Sequence, residues 1–328
     1  MKRRAFIAGA AGAAAARPLR ALAQQQPKPV VGYLFPGVPG TAIANANLAD
    51  FKKGLQEKGF VDGESVEIAV RSAQGHYDRL PGLMADLVQR KVAVIAALGT
   101  PAALAAKAGT QTVPVVFETA GDPVALGLVP SLARPGGNIT GVTQLTSELV
   151  AKRMGLLHDL VPGAKTVGFM VNPKDARAET QTRDVQGAAK TLGLPVKIVE
   201  AASEAEIETG FAELARAEAG GLILGTSEFF TRQAAQITGL ATKHRIPAIY
   251  QYRLFVEAGG LMSYGASLAT SYRLAGVYTA RILKGEKPAD LPVLQPSEFE
   301  LVLNLKAAAA IGLNVPREFV LHADEVIE

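Results

Sequence analysis

Residues 92–108 read VAVIAALGTPAALAAKA. Val92–Leu98 is an unbroken apolar run with no polar alternation, the mark of a strand covered on both faces, as in a parallel sheet. Gly99 allows close backbone approach, Thr100 suits the N-cap, and Pro101 suits the first helical position. The Ala-rich run Thr100–Ala108 then reads as a short helix. A buried strand passing through a glycine turn into a helix is a βα unit, and ligands in such folds sit beyond the carboxyl ends of the strands. The free amides and positive end of a helix starting at Gly99-Thr100-Pro101 suit a carboxylate. Thr100 also reads as a simple cap, and the two roles are compatible.

The same grammar extends in both directions. Val30–Phe35 is an apolar strand bounded by Pro29 and Pro36. Asn47–Gly59 places Leu48, Phe51 and Leu55 at helical spacing, with Gly59 as its stop. Val66–Ser72 is a strand, Tyr77–Arg90 a helix, Val113–Phe117 a buried strand, and Asn138–Val142 a fifth strand entered through Pro135-Gly136-Gly137. A second series follows: helix Ser147–Leu160 and strand Lys165–Val171, helix Arg177–Leu192 and strand Pro195–Ala201, helix Ser203–Ala219 and strand Gly221–Leu224, helix Arg232–His244 and strand Ile246–Tyr250. Strand Leu261–Tyr264, helix Leu268–Lys284, strand Phe299–Asn304 and helix Lys306–Ile311 complete it. Two βα series predict two α/β domains with parallel sheets, residues 24–145 (completed by about 266–290) and 146–265. Residues 291–328 are expected to cross between them.

The N-terminus reads as an export leader. Lys2, Arg3 and Arg4 precede an apolar run from Phe6 to Ala16, too short to span a bilayer, and Ala21-Leu22-Ala23 supplies a cleavage pattern with Gln24 as the first mature residue. Arg3-Arg4-Ala5-Phe6-Ile7 resembles a twin-arginine signal. The whole chain carries +4, but residues 1–23 hold five basic and no acidic residues, so the remaining 305 carry −1. The basic balance therefore belongs to the leader and gives no reason to expect nucleic acid as a partner. The absence of cysteine excludes disulfides, thiolate metal sites and a lipidated N-terminal Cys. No later run of 18 apolar residues occurs, so membrane insertion of the mature chain is not expected.

Signatures of catalysis and of cofactor binding are missing: no GxxxxGK[ST], GxSxG, HExxH or strand-end GxGxxG. The four histidines (His76, His158, His244, His322) lack metal spacing, so neither a cofactor nor a metal is expected. The strand ends instead carry small, polar and aromatic residues. Gly99, Thr100 and Pro101 open a helix; Thr119 and Asp122 follow another strand, Asp122 either holding a ligand ammonium or simply turning the chain before Pro123. Phe35, Tyr250 and Tyr252 either stack on a ligand ring or pack the core. Asn172, Thr226, Ser227 and Tyr264 complete the set of ligand-binding candidates.

Four long strings carry a family resemblance: YDRLPGLMADLVQRKVAVIAALGTPAALAAKA (77–108), GDPVALGLVPSLARPGGNITGVT (121–143), VEAGGLMSYG (256–265) and FELVLNLKAAAAIGL (299–313), with HADEVIE (322–328) as the ending. In these the chain resembles the ABC-transporter substrate-binding proteins of the TrpX-like group. The resemblance implies a type I periplasmic-binding-protein fold: two Rossmann-like domains, three hinge crossings, a ligand in the cleft and no enzymatic activity. It also implies amino acids, notably aromatic ones, as ligands; together with the leader it leads to the expectation of a periplasmic monomer that serves an ABC permease and its ATPase. The loop Pro36-Gly37-Val38-Pro39-Gly40 departs from the Ser-containing form expected of the group. Two other functions are weighed against transport: a periplasmic sensing subunit, and an exported cofactor enzyme, which the missing catalytic signatures disfavour.

Overall fold

The computed structural model describes residues 28–145, 149–296 and 298–328. The leader expected over residues 1–23, its cleavage after Ala23, and the helix start expected at Ser147 lie outside the described residues.

Strands β1 (Val30–Phe35), β2 (Glu67–Ser72), β3 (Val94–Leu98), β4 (Val115–Thr119) and β5 (Ile139–Thr143) form an all-parallel sheet in the order β2-β1-β3-β4-β5. Both faces are covered, which is why β3 and β4 read as continuous apolar runs. Ile95 and Ala97 of β3 pack with Leu80, Met84, Leu87 and Ala103 on one face. Val94, Ala96 and Leu98 pack with Phe51, Leu55 and Ala275 on the other.

The second sheet contains β6 (Val167–Val171), β7 (Val196–Glu200), β8 (Gly221–Leu224), β9 (Ala248–Tyr250), β10 (Met262–Ala266), β11 (Phe299–Asn304) and β12 (Glu325–Ile327), in the order β12-β11-β10-β9-β8-β6-β7. All neighbours are parallel except β10 and β11. The second sheet is thus parallel-dominated, as expected, with one antiparallel pair. The chain reaches β11 from the first sheet rather than through a helix on the second, so it enters from the opposite end.

The chain passes between the sheets three times: after β5, between β10 and the helix Leu268–Leu283, and between Leu294 and β11. The helix Leu268–Leu283 returns to the first sheet, where Tyr272, Ala275 and Tyr278 are buried. Leu294 then bridges Val142, and the Thr140 hydroxyl donates to the Leu291 carbonyl (2.6 Å), tying the return to β5.

Two helices start or divide differently from expectation. The helix expected at Asn47 begins at Ala42, because the Thr41 hydroxyl accepts from the Ala44 amide (3.3 Å) and caps it. The helix expected over Arg232–His244 is two, Glu228–Arg232 and Ala234–Lys243, the first capped by Ser227.

Candidate ligand-binding site

The carboxyl ends of the two sheets meet. Gly75 beyond β2, Gly99 beyond β3 and Gly121 beyond β4 each leave room for a side chain carried beyond the other sheet's strands. A Cβ on Gly75 would lie 3.3 Å from Arg232 Nη2, one on Gly99 3.2 Å from Glu228 Oε1, and one on Gly121 2.8 Å from Arg177 Cδ. Gly99 also has φ +93°, a left-handed conformation that favours glycine. The absent side chain at this turn lets the sheets close.

On the first-sheet side, the Gly99 amide donates to the Glu118 carbonyl (3.1 Å) and to Glu118 Oε2 (3.2 Å). The Thr100 and Thr119 hydroxyls share a 2.7 Å hydrogen bond, and Thr119 Oγ1 also accepts from the Gly121 amide (3.3 Å). The predicted residues Gly99, Thr100, Pro101 and Thr119 do converge. The surroundings change what they do, because two protein carboxylates, Glu118 and Glu228, already stand at this helix start. The expectation of free amides for a ligand carboxylate is corrected at Gly99, whose amide is already taken by the Glu118 carbonyl and Oε2.

Sequence reasoning missed Glu118. It is 2% exposed, and burial, with a further push from Glu228, raises its carboxyl to about 8, against the opposing pull of the Gly99 amide and Arg177. Because the folded state holds this proton more tightly, the stabilisation is full below about 4.5 and is lost as pH rises through about 8. Thermal unfolding of the ligand-free protein across that window is expected to show the loss. Glu118→Gln is expected to flatten the slope; an unchanged slope would remove Glu118 as its source.

On the second-sheet side, Asn172, Thr226 and Ser227 follow β6 and β8. Asn172 Nδ2 donates to Ser227 Oγ (3.1 Å), which caps the next helix by accepting from the Phe229 amide (3.2 Å). Arg177 and Asp175 form a buried two-pronged pair, Nε to Oδ1 and Nη2 to Oδ2, both 2.8 Å. Arg177 Nη2 and Gln181 Nε2 both donate to the Thr226 carbonyl, at 3.2 and 3.0 Å. What remains is unpaired: Arg177 Nη1, the Thr226 hydroxyl, and both amide atoms of Gln251, the residue after β9, are buried without a partner. Buried polar groups are normally satisfied, so these mark a place where a polar ligand or water belongs.

The aromatic candidates separate. Phe35 and Tyr252 line a cavity of about 40 Å³ together with Tyr272, Glu228 and Arg232. A wider groove of about 500 Å³ adjoins it, sharing Ile43, Asn47, Tyr252 and Leu268. Tyr250 lies in the core, stacked on Phe255 with ring centroids 4.8 Å apart and planes 3° from parallel. Of the two alternatives read from the sequence, Tyr250 takes core packing and not ligand stacking. Tyr264 sits half-buried on β10 beside Phe299, its carbonyl accepting from Arg153 Nη1 (3.5 Å). Asp122 Oδ1 accepts from the Val124 amide (2.8 Å), which is its turn-forming role. Tyr33 and Tyr272, both buried, were also missed.

A family model described as ABC transporter substrate binding protein matches residues 42–327. The chain belongs to that family. A tyrosine-binding protein from Clostridioides difficile (strain R20291) is 27% identical over 263 residues, covering 80% of this substrate-binding protein and 75% of that one. An ABC domain from Streptococcus pneumonia, solved in complex with L-Trp, is 24% identical with a TM-score of 0.82, covering 92% of this chain and 100% of its own. A ligand-free, open substrate-binding protein with adhesive properties from Clostridium difficile is 26% identical, with a TM-score of 0.68 over 92% of this chain and 99% of its own. Proteins of this family bind substrates and are not enzymes. The two parallel-dominated sheets of this substrate-binding protein are those of type I periplasmic binding proteins. Among the described residues no helix is long and apolar enough to cross a membrane, and no group of three His, Cys, Asp or Glu is placed to hold a metal ion.

Proposed function

We propose that this chain is the periplasmic solute receptor of an ABC importer, exported by its leader, and that it delivers a small amino acid with an aromatic or apolar side chain to a permease and its ATPase. The observation that carries the ligand class is the set of buried, unpaired groups where the sheets meet: Arg177 Nη1, the Thr226 hydroxyl and the Gln251 amide. Arg177 Nη1 and Gln251 Nε2 are donors suited to a carboxylate, and the charged donor makes the stronger bond. Phe35, Tyr252 and Tyr272 offer apolar faces for a side chain. The tyrosine-binding and L-Trp-bound relatives support the aromatic reading.

The cavity of about 40 Å³ holds only a few waters, so a ligand enters an opened cleft and the sheets then close. A thermal-shift screen of the mature protein against amino acids and small organic acids tests the proposal. A ligand at about 100 times its Kd is expected to add roughly 2.7 kcal/mol of stability. A response confined to sugars or metal cations would overturn the ligand class.

A further inference from the structure

We propose that Glu118 and Glu228 together form a cation site across the cleft, so that a positively charged amine is the feature every tight ligand of this protein must carry. This deepens the reading above and rests on it. The two carboxylates come from opposite sheets and reach the same glycine. Glu118 Oε2 is 3.2 Å from the Gly99 amide nitrogen, and Glu228 Oε1 is 3.2 Å from where a Gly99 Cβ would stand. A second, independent observation marks the same joint as a ligand site. Arg177, 5% exposed and within electrostatic reach of both carboxylates, leaves Nη1 buried without a partner.

The local charges leave Glu118 without a cation of its own. Arg177 is spent on Asp175 in a two-pronged pair. Arg177 and, after it, Arg232 partly offset Glu228. Among the described residues no cationic side chain hydrogen-bonds Glu118, whose carboxylate accepts from the Gly99 amide alone. Closing the cleft therefore brings two carboxylates together with too few cations, and a proton or a ligand cation must make up the difference. Burial first, then the charges of Glu118 and Glu228, raise the hydroxyls of Tyr33, Tyr252 and Tyr272 above the ordinary range. Tyr252 and Tyr272 line the cavity beside Glu228, and tyrosine ring faces attract cations, so this lining favours an amine as well.

Two consequences follow. An amine entering the site displaces the proton that the ligand-free closed cleft keeps on the pair, so binding releases protons at neutral pH. A deaminated acid brings a third negative charge and leaves the pair unanswered; sites built around a buried polar contact reject analogues lacking it by large factors.

Calorimetry of the mature protein with matched compounds tests this: L-tyrosine, tyramine and 3-(4-hydroxyphenyl)propionate, with L-tryptophan, tryptamine and indole-3-propionate. At least one amino acid is expected to bind, with its deaminated acid at least about 100-fold weaker. Glu118→Gln and Glu228→Gln are each expected to weaken the amino acid about 10-fold or more while leaving the deaminated acid unchanged or tighter. The binding enthalpy at pH 7 is expected to differ between phosphate and Tris buffers, and Glu118→Gln to remove the difference. Circular dichroism checks that both variants are folded, and the paired carboxylic acid serves as an internal control for the site. A deaminated acid binding as tightly as its amino acid, or unaltered amino-acid affinity in both variants, would overturn the cation site and leave the amino-acid reading standing. Failure of all six compounds to bind would overturn both.

Discussion

Gly276→Ala is expected to cost this protein about 3 kcal/mol, the upper end of what overpacking does. The helices Ala42–Gln56 and Leu268–Leu283 cross with their backbones touching. A Cβ on Gly276 would lie 2.1 Å from the Phe51 carbonyl oxygen, and one on Gly54 1.9 Å from that of Arg273. Backbone atoms of a packed helix cannot rotate aside as a side chain does, so the helices must separate. Separation loosens Phe51, Leu55 and Ala275, all fully buried. The helix Leu268–Leu283 follows directly on a crossing from the second sheet, so the loss falls on the joint between the sheets as well as on the core. Thermal unfolding is expected to drop by roughly 5–10 °C. Gly187→Ala is the control: Gly187 lies inside the helix Ala178–Leu192 with open space around its missing Cβ. There the substitution is expected to stabilise by about 0.5–1 kcal/mol, since glycine is a poor helix former.

Arg177→Met is expected to damage stability and binding together. It strands Asp175, which is 6% exposed, without its cation, and breaking such a pair costs about 3–5 kcal/mol. It also removes a donor to the Thr226 carbonyl and the unpaired Nη1. Binding of an amino acid is expected to fall about 100-fold or more. Adding Asp175→Asn separates the two effects. The double variant is expected to recover most of the stability, because position 175 no longer carries a stranded charge, and none of the affinity, because the donor is still missing. Recovery of both, measured by denaturant unfolding and calorimetry, would show that Arg177 serves only the fold.

Much of this architecture was legible because local pattern and tertiary burial agree. Val92–Leu98 has no polar interruption, and β3 is buried on both faces. Where the two diverge, the reading failed. Residues 42–46 are Ala-Ile-Ala-Asn-Ala, without an apolar period, so only the Thr41 cap marks where that helix begins. The strand ends were found as a set because a parallel sheet puts them on one side. Which of them line the cleft was not legible. Tyr250 and Tyr252 differ by two positions, and only packing against Phe255 sends one ring into the core while the other lines the cavity. Glu118 and Glu228 escaped notice for a deeper reason. Each looks like an ordinary acid at the edge of an element, and they meet only because two sheets close on Gly99 and bring together positions 118 and 228, more than 100 residues apart in sequence.

The central claim is that the two sheets close on a ligand held between them. The chain contains no cysteine, so a pair of spin labels at His76→Cys and Ala235→Cys reports on the cleft without background. Both positions are exposed and flank the Gly75–Arg232 contact across its mouth. Electron-electron distance measurements should be made with and without the compound that most stabilises the protein. The account expects a broad distribution without it, running from the closed distance to longer ones, and a single short, narrow one with it. The same distribution in both states, at saturating ligand, would contradict closure.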